Sequence, residues 1–114
     1  MRRVDATLLD IRRAGRLALA FIEDVPDART FARDAKTQSA VLHQLLVMGE
    51  AVKRLPASFR EAHPHIPWRP IAGMQDVLIH AYDDVDTAEV WRTLTAELPA
   101  VLDAVDALAP PDIE

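Results

Sequence analysis

Residues 74–86, MQDVLIHAYDDVD, concentrate the side chains of this sequence that could carry out chemistry. The imidazole of His80 titrates near neutral pH in its unperturbed state, so it can accept or donate a proton. Tyr82, the only tyrosine of the chain, places a phenolic hydroxyl two residues further on. Carboxylates near an imidazole favour its charged form. This segment holds four of them, Asp76, Asp83, Asp84 and Asp86.

Two other interpretations of this segment remain open. Asp76, His80 and Asp84 follow one another at steps of four, so on a helix they would line one face and offer oxygen and nitrogen ligands to a metal. We expect the helix to end near His80, which argues against that metal site. The purely structural alternative is a histidine stabilised at a helix C-terminus, a half-buried tyrosine and acids in a solvated loop.

The composition excludes several classes of function. The 114 residues include no cysteine, which removes disulfides, thiolate catalysis and cysteine zinc sites. His63 and His65 flank Pro64, but two histidines without a third nearby ligand are a weak indication of zinc. The net charge of −5 argues against broad electrostatic wrapping of nucleic acid. Because no signal-like core and no membrane-spanning apolar run occur, we expect a cytoplasmic protein.

Apolar residues at steps of three and four predict an all-α fold. One such stripe covers residues 4–22, where Gly15 and Ala18 would let a neighbouring element approach closely. A second covers residues 41–55, and Pro56 ends that helix. Short links between successive helices favour antiparallel neighbours, so we expect an up-and-down bundle of four long helices with shorter ones between them.

The segments between these stripes predict shorter elements. We expect a polar helix over residues 29–35, with Thr37 as a possible cap of the following helix. Residues 57–62 should form a short helix, followed by an extended, proline-rich connector. Pro70 can occupy the first turn of the next helix, which would run toward His80.

The C-terminal third predicts one more helix. Asp86, with Glu89 three residues later, resembles a capping box, and we expect Pro99 to kink the helix that it opens. We assign residues 1–109 to a single domain and residues 110–114 to a short tail. The arginines of the first helix are expected to form a solvated face, and the alternative is that they steer RNA toward an otherwise acidic protein; these are Arg2, Arg3, Arg12, Arg13 and Arg16.

The order of three segments resembles the HepT-like branch of the HEPN superfamily, the toxin halves of HepT/MntA toxin–antitoxin pairs. These segments are LVMGEAVKRLP, HPHIPWRPIAGMQDVLIHAY and VDTAEVWRTL, and the likeness covers nearly the whole chain. The signature of that family is an Arg, four residues, a His, any residue and a Tyr. His80 and Tyr82 match its last two positions, Gln75 stands at the Arg position, and Asp76 stands where an Asn is usual.

The resemblance implies a metal-independent endoribonuclease without a cofactor. In such homodimers two copies of the signature would meet in a cleft, where a ribose 2′-OH attacks the adjacent phosphate. His80 would transfer the proton, or act as a cation while a carboxylate such as Asp76 serves as the base. Gln75 offers only a neutral amide donor, and the loss of one charge-stabilising donor commonly slows catalysis about a hundredfold.

The resemblance also implies partners and a modification. In a type VII-like pair, an MntA-like nucleotidyltransferase antitoxin attaches AMP to the signature tyrosine, here Tyr82, and blocks the cleft. RNA is the expected substrate, with no DNA and no membrane involved. Arg69 and Arg54 are candidates to replace the missing cation, and Glu50 is a candidate support of the site or of a dimer contact.

Two alternatives to the ribonuclease stay open. The first is a catalytically inactive HEPN binding module that dimerises and binds the nucleotidyltransferase; Gln75 favours it. The second is a metal-dependent phosphodiester hydrolase that uses the acids of the segment, which would be sensitive to chelators.

Overall fold

The computed structural model of the protein describes residues 2–73 and 86–110, and every regular element within these ranges is a helix. The predicted all-α class is therefore confirmed. None of the helices in the described part is long and apolar enough to cross a bilayer. In order, the elements are α1 (Arg2–Phe21), α2 (Ala28–Ala32), α3 (Ala35–Arg54), α4 (Ala57–Ala62), α5 (residues 68–73), α6 (Thr87–Arg92), a π-helix (Thr93–Glu97) and α7 (Leu98–Leu108).

The core is built on α1 and α3, which pack against each other along much of their length. α7 adds to α1, and α2 lies against both α3 and α6. The two stripes predicted from the sequence are the buried faces of α1 and α3. Their fully or almost fully buried members are Val4, Leu8, Ile11, Gly15 and Ala18 in α1, Ile22 directly after it, and Val41, Leu45, Met48 and Val52 in α3.

Gly15 is the point of closest approach between α1 and α7. A Cβ atom added at Gly15 would lie 2.5 Å from Cδ2 of Leu102 and 3.2 Å from its Cγ. Leu102 is itself buried, so it has little room to retreat. The close approach predicted at Gly15 is therefore confirmed, and its partner is the last helix.

Aspartates begin two of the helices in the first half of the chain. Asp27 accepts a hydrogen bond from the Thr30 backbone N–H at 2.9 Å and caps α2. Asp34 accepts from the backbone N–H of Thr37 at 3.0 Å and from its hydroxyl at 2.6 Å, and these bonds lower the pKa of Asp34. The prediction of Thr37 as the cap was therefore wrong, because Thr37 is the donor and the carboxylate three residues earlier is the acceptor. The polar helix predicted over residues 29–35 is correspondingly shorter and ends before this cap.

Asp86 caps α6, as predicted. Its Oδ1 accepts from the Glu89 backbone N–H at 3.1 Å. The side chain of Glu89 turns toward Arg92, whose Nε and Nη2 donate to the two carboxylate oxygens at 3.1 and 2.5 Å. One half of the capping box is thus formed by Asp86, while Glu89 is engaged in an ion pair within the helix.

The distortion predicted at Pro99 takes the form of a π-helix. The Leu98 N–H donates to the carbonyl of Thr93, five residues earlier, which is the π pattern. Pro99 has no N–H, and in a regular α-helix its ring would collide with the carbonyl of Thr95. The wider turn directly before Pro99 relieves that conflict, and helical structure continues from α6 into α7.

Arg12 is buried, so the prediction of a solvated arginine face on α1 was wrong at this position. Its side chain is 5% exposed, and its Nε donates to Asp106 Oδ1 at 2.6 Å. Its Nη1 donates to the Pro110 carbonyl at 2.9 Å, while Arg16, which is exposed as predicted, donates to Asp106 Oδ2 at 3.2 Å. The end of α7 covers the face of α1 that carries Arg12. The spacing of apolar residues within a single helix could not reveal this contact.

Asp106→Asn should destabilise the fold. The change leaves the buried Arg12 guanidinium without a charged partner, and we expect a loss of about 2 kcal/mol in the free energy of unfolding. Chemical denaturation followed by far-UV circular dichroism measures it. Asp103→Asn removes a carboxylate from an exposed position of the same helix and should change the free energy by less than about 0.5 kcal/mol. Equal stability of the two variants would contradict the role assigned to Asp106.

Gly15→Val should destabilise the fold by about 1–3 kcal/mol, because the added atoms overlap Leu102. Thermal and denaturant melts measure this effect. Ala20→Val, at an exposed position of the same helix, reports the cost of a β-branched residue alone. We expect Leu102→Ala to restore part of the loss in the Gly15→Val background. Melts of Gly15→Val that coincide with those of Ala20→Val would refute the close packing.

Candidate functional site

The signature residues lie outside the described ranges. Gln75, Asp76, His80 and Tyr82 all fall within residues 74–85, as do the three residues of the alternative metal site. Their roles therefore stay predictions. The structure describes the chain up to Gly73, where it enters this segment, and from Asp86 onward, where it leaves the segment.

A compact connector leads into the segment. The sequence predicted an extended path between α4 and α5, but residues 63–67 form turns. The carbonyl of His63 accepts from the Ile66 backbone N–H at 3.2 Å and from Nε1 of Trp68 at 3.0 Å. Ile66 and Trp68 are buried, and Phe59 of α4 packs against the Trp68 ring at a centroid distance of 6.3 Å. The buried Trp68 therefore packs the connector against α4, and α5 starts from a fixed point.

A groove bounded by the end of α3, α4, the connector and α5 carries three cations. We call it the α4–α5 groove; its volume is about 730 Å³. Lys53, Arg60 and Arg69 line it, and Glu61 is the one carboxylate among the lining residues that the structure describes. The Nε of Arg60 is buried and has no hydrogen-bond acceptor within the described ranges. The α4–α5 groove is therefore a basic site on an acidic protein.

A second groove, of about 640 Å³, lies between α3, α5 and the last helix and is mainly apolar. Leu45, Met48 and Val101 contribute to its walls, with His65 at one side. Arg92 also lines it but donates to Glu89 and to Glu97, the latter at 3.0 Å. The hydrogen bonds that Arg92 donates to Glu89, and then the one that it donates to Glu97, raise the pKa of Arg92 above its usual range. Its charge is thus already matched by carboxylates.

The candidate supporting residues Arg69, Arg54 and Glu50 lie in different surroundings in the structure. Arg69 is exposed and lines the α4–α5 groove. Arg54 instead pairs with Asp10 of α1 at 3.2 Å, which directs its guanidinium toward α1. Glu50 lies on an exposed position of α3. Of these three, Arg69 alone belongs to a groove described here.

The histidine pair of the connector does not make a metal site with the described residues. The rings of His63 and His65 are 6.0 Å apart, centroid to centroid, and meet edge to face. Within residues 2–73 and 86–110, no three histidine or acidic side chains are placed to hold a metal ion.

The sequence of this chain is similar to those of known proteins. The family described as "Ribonuclease HepT-like" matches residues 11–108, which is most of the chain. The chain belongs to the ribonuclease HepT-like family. The predicted family resemblance is thereby confirmed. The matched range of this HepT-like chain includes α3, the connector, residues 74–85 and the last helix.

Several relatives carry names that refer to RNA cleavage. "Probable ribonuclease HepT" of Thermococcus cleftensis is 46% identical over 71 residues, which are 62% of this HepT-like chain and 64% of that protein. "Putative RNase MJ0125" of Methanocaldococcus jannaschii is 40% identical over 100 residues, or 88% of this chain and 85% of that protein. The chain thus spans just under two thirds of the Thermococcus protein. No solved structure matches the chain significantly.

Arg60 is the residue of this region that the sequence interpretation missed. It stands nine positions before Arg69, with the proline-rich connector between them. The turns of the connector bring both residues to the lining of one groove. Two arginines on either side of a proline-rich segment are a weak signal, because an extended connector would have separated them.

Proposed function

We propose that this HepT-like protein is a metal-independent endoribonuclease with His80 as its proton-transfer residue. The observation that carries the proposal is the family match over residues 11–108, which includes the segment of His80 and Tyr82. The names of the relatives support the same class of reaction.

The reaction follows from the chemistry of RNA. A ribose 2′-oxygen attacks the adjacent phosphorus as it loses its proton, and the bond from phosphorus to the 5′-oxygen breaks. The products are a 2′,3′-cyclic phosphate and a new 5′-hydroxyl, which receives a proton. His80 acts in one of these proton transfers, and Asp76 is the candidate base when the imidazole is already charged. Gln75 donates a neutral hydrogen bond to the phosphoryl oxygens, where a cation would stabilise the developing charge more strongly.

We further propose that the protein is the toxin half of a toxin–antitoxin pair and works as a homodimer in the cytoplasm. Its partner would be an MntA-like nucleotidyltransferase that transfers AMP to the Tyr82 hydroxyl, releasing pyrophosphate from ATP. An adenylylated tyrosine two residues from His80 adds a negative charge and bulk beside the proton-transfer group. RNA phosphates would then be excluded by repulsion and by steric overlap.

The second candidate is a binding module that keeps the partner but no longer cleaves RNA. Gln75 is the observation that favours it, because a neutral amide replaces the cation of the family signature.

His80→Ala should abolish RNA cleavage by the purified protein, and a chelator should leave wild-type cleavage unchanged. Denaturing gels of a labelled single-stranded RNA measure both. His43→Ala, which changes an exposed histidine on α3, should retain wild-type cleavage and is the matched control. Gln75→Arg should raise the rate about a hundredfold, since it restores the charge-stabilising donor.

An inactive wild-type protein that Gln75→Arg converts into a nuclease would support the binding module over the enzyme. Cleavage that persists in His80→Ala would refute the role of His80. Cleavage lost on chelation would instead indicate the metal-dependent hydrolase.

Incubation with a cognate nucleotidyltransferase and ATP should add the mass of AMP groups at Tyr82. Intact-mass spectrometry and peptide mapping locate the modification, and Tyr82→Phe removes the acceptor hydroxyl as a control. We expect the modified protein to lose RNA cleavage. Labelling elsewhere in the chain, or full activity after labelling, would contradict the proposed regulation.

A further inference from the structure

We propose that the α4–α5 groove binds the backbone phosphates of single-stranded RNA through Arg60 and Arg69. The inference deepens the proposed ribonuclease function and rests on it for the identity of the ligand. It adds a substrate-binding surface outside the signature, at residues that the structure describes.

The charge of the groove is the first argument. The chain as a whole carries a net charge of −5, yet Lys53, Arg60 and Arg69 all line this groove, and Glu61 is the only carboxylate among its lining residues within 2–73 and 86–110. A protein that is acidic overall repels a polyanion at most of its surface. A local basic groove then decides where RNA can bind, because nearby charges act most strongly within a Debye length of about 8–10 Å.

The pairing of the arginines is the second argument. Four arginines in the described part of the chain are matched by carboxylates: Arg12 and Arg16 by Asp106, Arg54 by Asp10, and Arg92 by Glu89 and Glu97. Arg60 and Arg69 have no ion pair with a carboxylate in that part, and the buried Nε of Arg60 lacks an acceptor there.

An unmatched guanidinium fork fits the oxygens of a phosphate. A buried donor without an acceptor costs free energy, and an anionic oxygen that approaches Arg60 recovers part of that cost. Because Arg69 is exposed, it can meet the same strand without leaving the surface. The two side chains are therefore suited to bind neighbouring phosphates of one RNA strand. A second carboxylate of the protein, which is already solvated, would suit them less well.

The shape of the groove is the third argument. Pro64, Pro67 and Pro70 line it as exposed, rigid apolar rings, and the buried Ile66 and Trp68 hold the connector beneath them. Bases and riboses can lie on apolar surfaces while phosphates meet cations, which is how single strands are commonly bound. Since the proline rings fix the backbone, binding orders little of the protein and costs little conformational entropy.

The groove also leads to the signature along the chain. Gly73 lines it and stands two residues before Gln75. An RNA strand bound in the α4–α5 groove would gain binding free energy from residues that precede the signature in the chain.

The test measures binding without cleavage. Fluorescence anisotropy of a labelled single-stranded RNA, recorded at several salt concentrations, gives the dissociation constant of the full chain carrying His80→Ala. Adding Arg60→Gln and Arg69→Gln should weaken binding at least tenfold at low salt. It should also reduce the slope of log K against log salt by about 1.4, which is two phosphate contacts at about 0.7 each.

Arg29→Gln with Arg33→Gln is the matched control, because it removes the same charge from two exposed positions outside the groove, one in α2 and one directly after it. We expect its salt slope to equal that of the parent. Arg69→Gln alone tests the inference even when Arg60→Gln perturbs folding, and it should lower the slope by about 0.7.

The possible outcomes separate the groove from the enzyme. Groove-dependent RNA binding by a protein that never cleaves RNA supports the groove and overturns the nuclease. RNA cleavage with binding and salt slope unchanged in both groove variants overturns the groove and leaves the nuclease. Loss of nucleotidyltransferase binding without loss of RNA binding would assign the groove to a protein contact and would also overturn the proposal.

Discussion

The ion pair of the buried Arg12 with Asp106 links α1 to the end of α7. A guanidinium in a protein interior is tolerated only when acceptors surround it, and here the Asp106 carboxylate and the Pro110 carbonyl provide them. α1 thereby fixes α7, and Gly15 lets the two helices approach until Leu102 fills the gap. Because α1 also packs along α3, this one contact region determines how the rest of the bundle is arranged.

The connector between α4 and α5 transmits that rigidity to the site. Its turns close on the His63 carbonyl, and the buried Trp68 anchors the first turn of α5 against Phe59. An extended, solvent-exposed connector would not fix the position of the first turn of α5. The observed turns instead bring Arg60 and Arg69 to one groove and fix the direction in which the chain proceeds toward the signature.

Charge is distributed unevenly over the protein, and this distribution is relevant to its chemistry. Ion pairs with carboxylates occupy Arg12 and Arg16 in the second half of α1 and Arg92 at the end of α6. The α4–α5 groove keeps an excess of positive charge on an otherwise acidic molecule. A signature with Gln75 in place of an arginine depends more heavily on cations supplied from elsewhere, because a neutral amide stabilises a phosphoryl charge less well. Arg60 and Arg69 of the groove are candidates for such cations.

The sequence by itself determined the elements whose causes are local. Apolar spacing predicted the buried faces of α1 and α3, Pro56 ended α3, and α4 has the predicted bounds. Asp86 was recognised as a cap because its acceptor lies within three residues of the donor. The family was likewise predicted from ordered segments of the sequence, and the match over residues 11–108 confirmed it.

Only the tertiary structure decided which charged side chains are buried, which form ion pairs and which can bind a ligand. Arg12 looked like part of a solvated face, yet its partner Asp106 is 94 positions away in sequence. Arg60 and Arg69 are lining residues of one groove because the connector turns, which its prolines alone did not predict. The physical reason is that helical periodicity and caps depend on neighbours within about four residues, whereas burial and charge pairing depend on elements that meet only after folding.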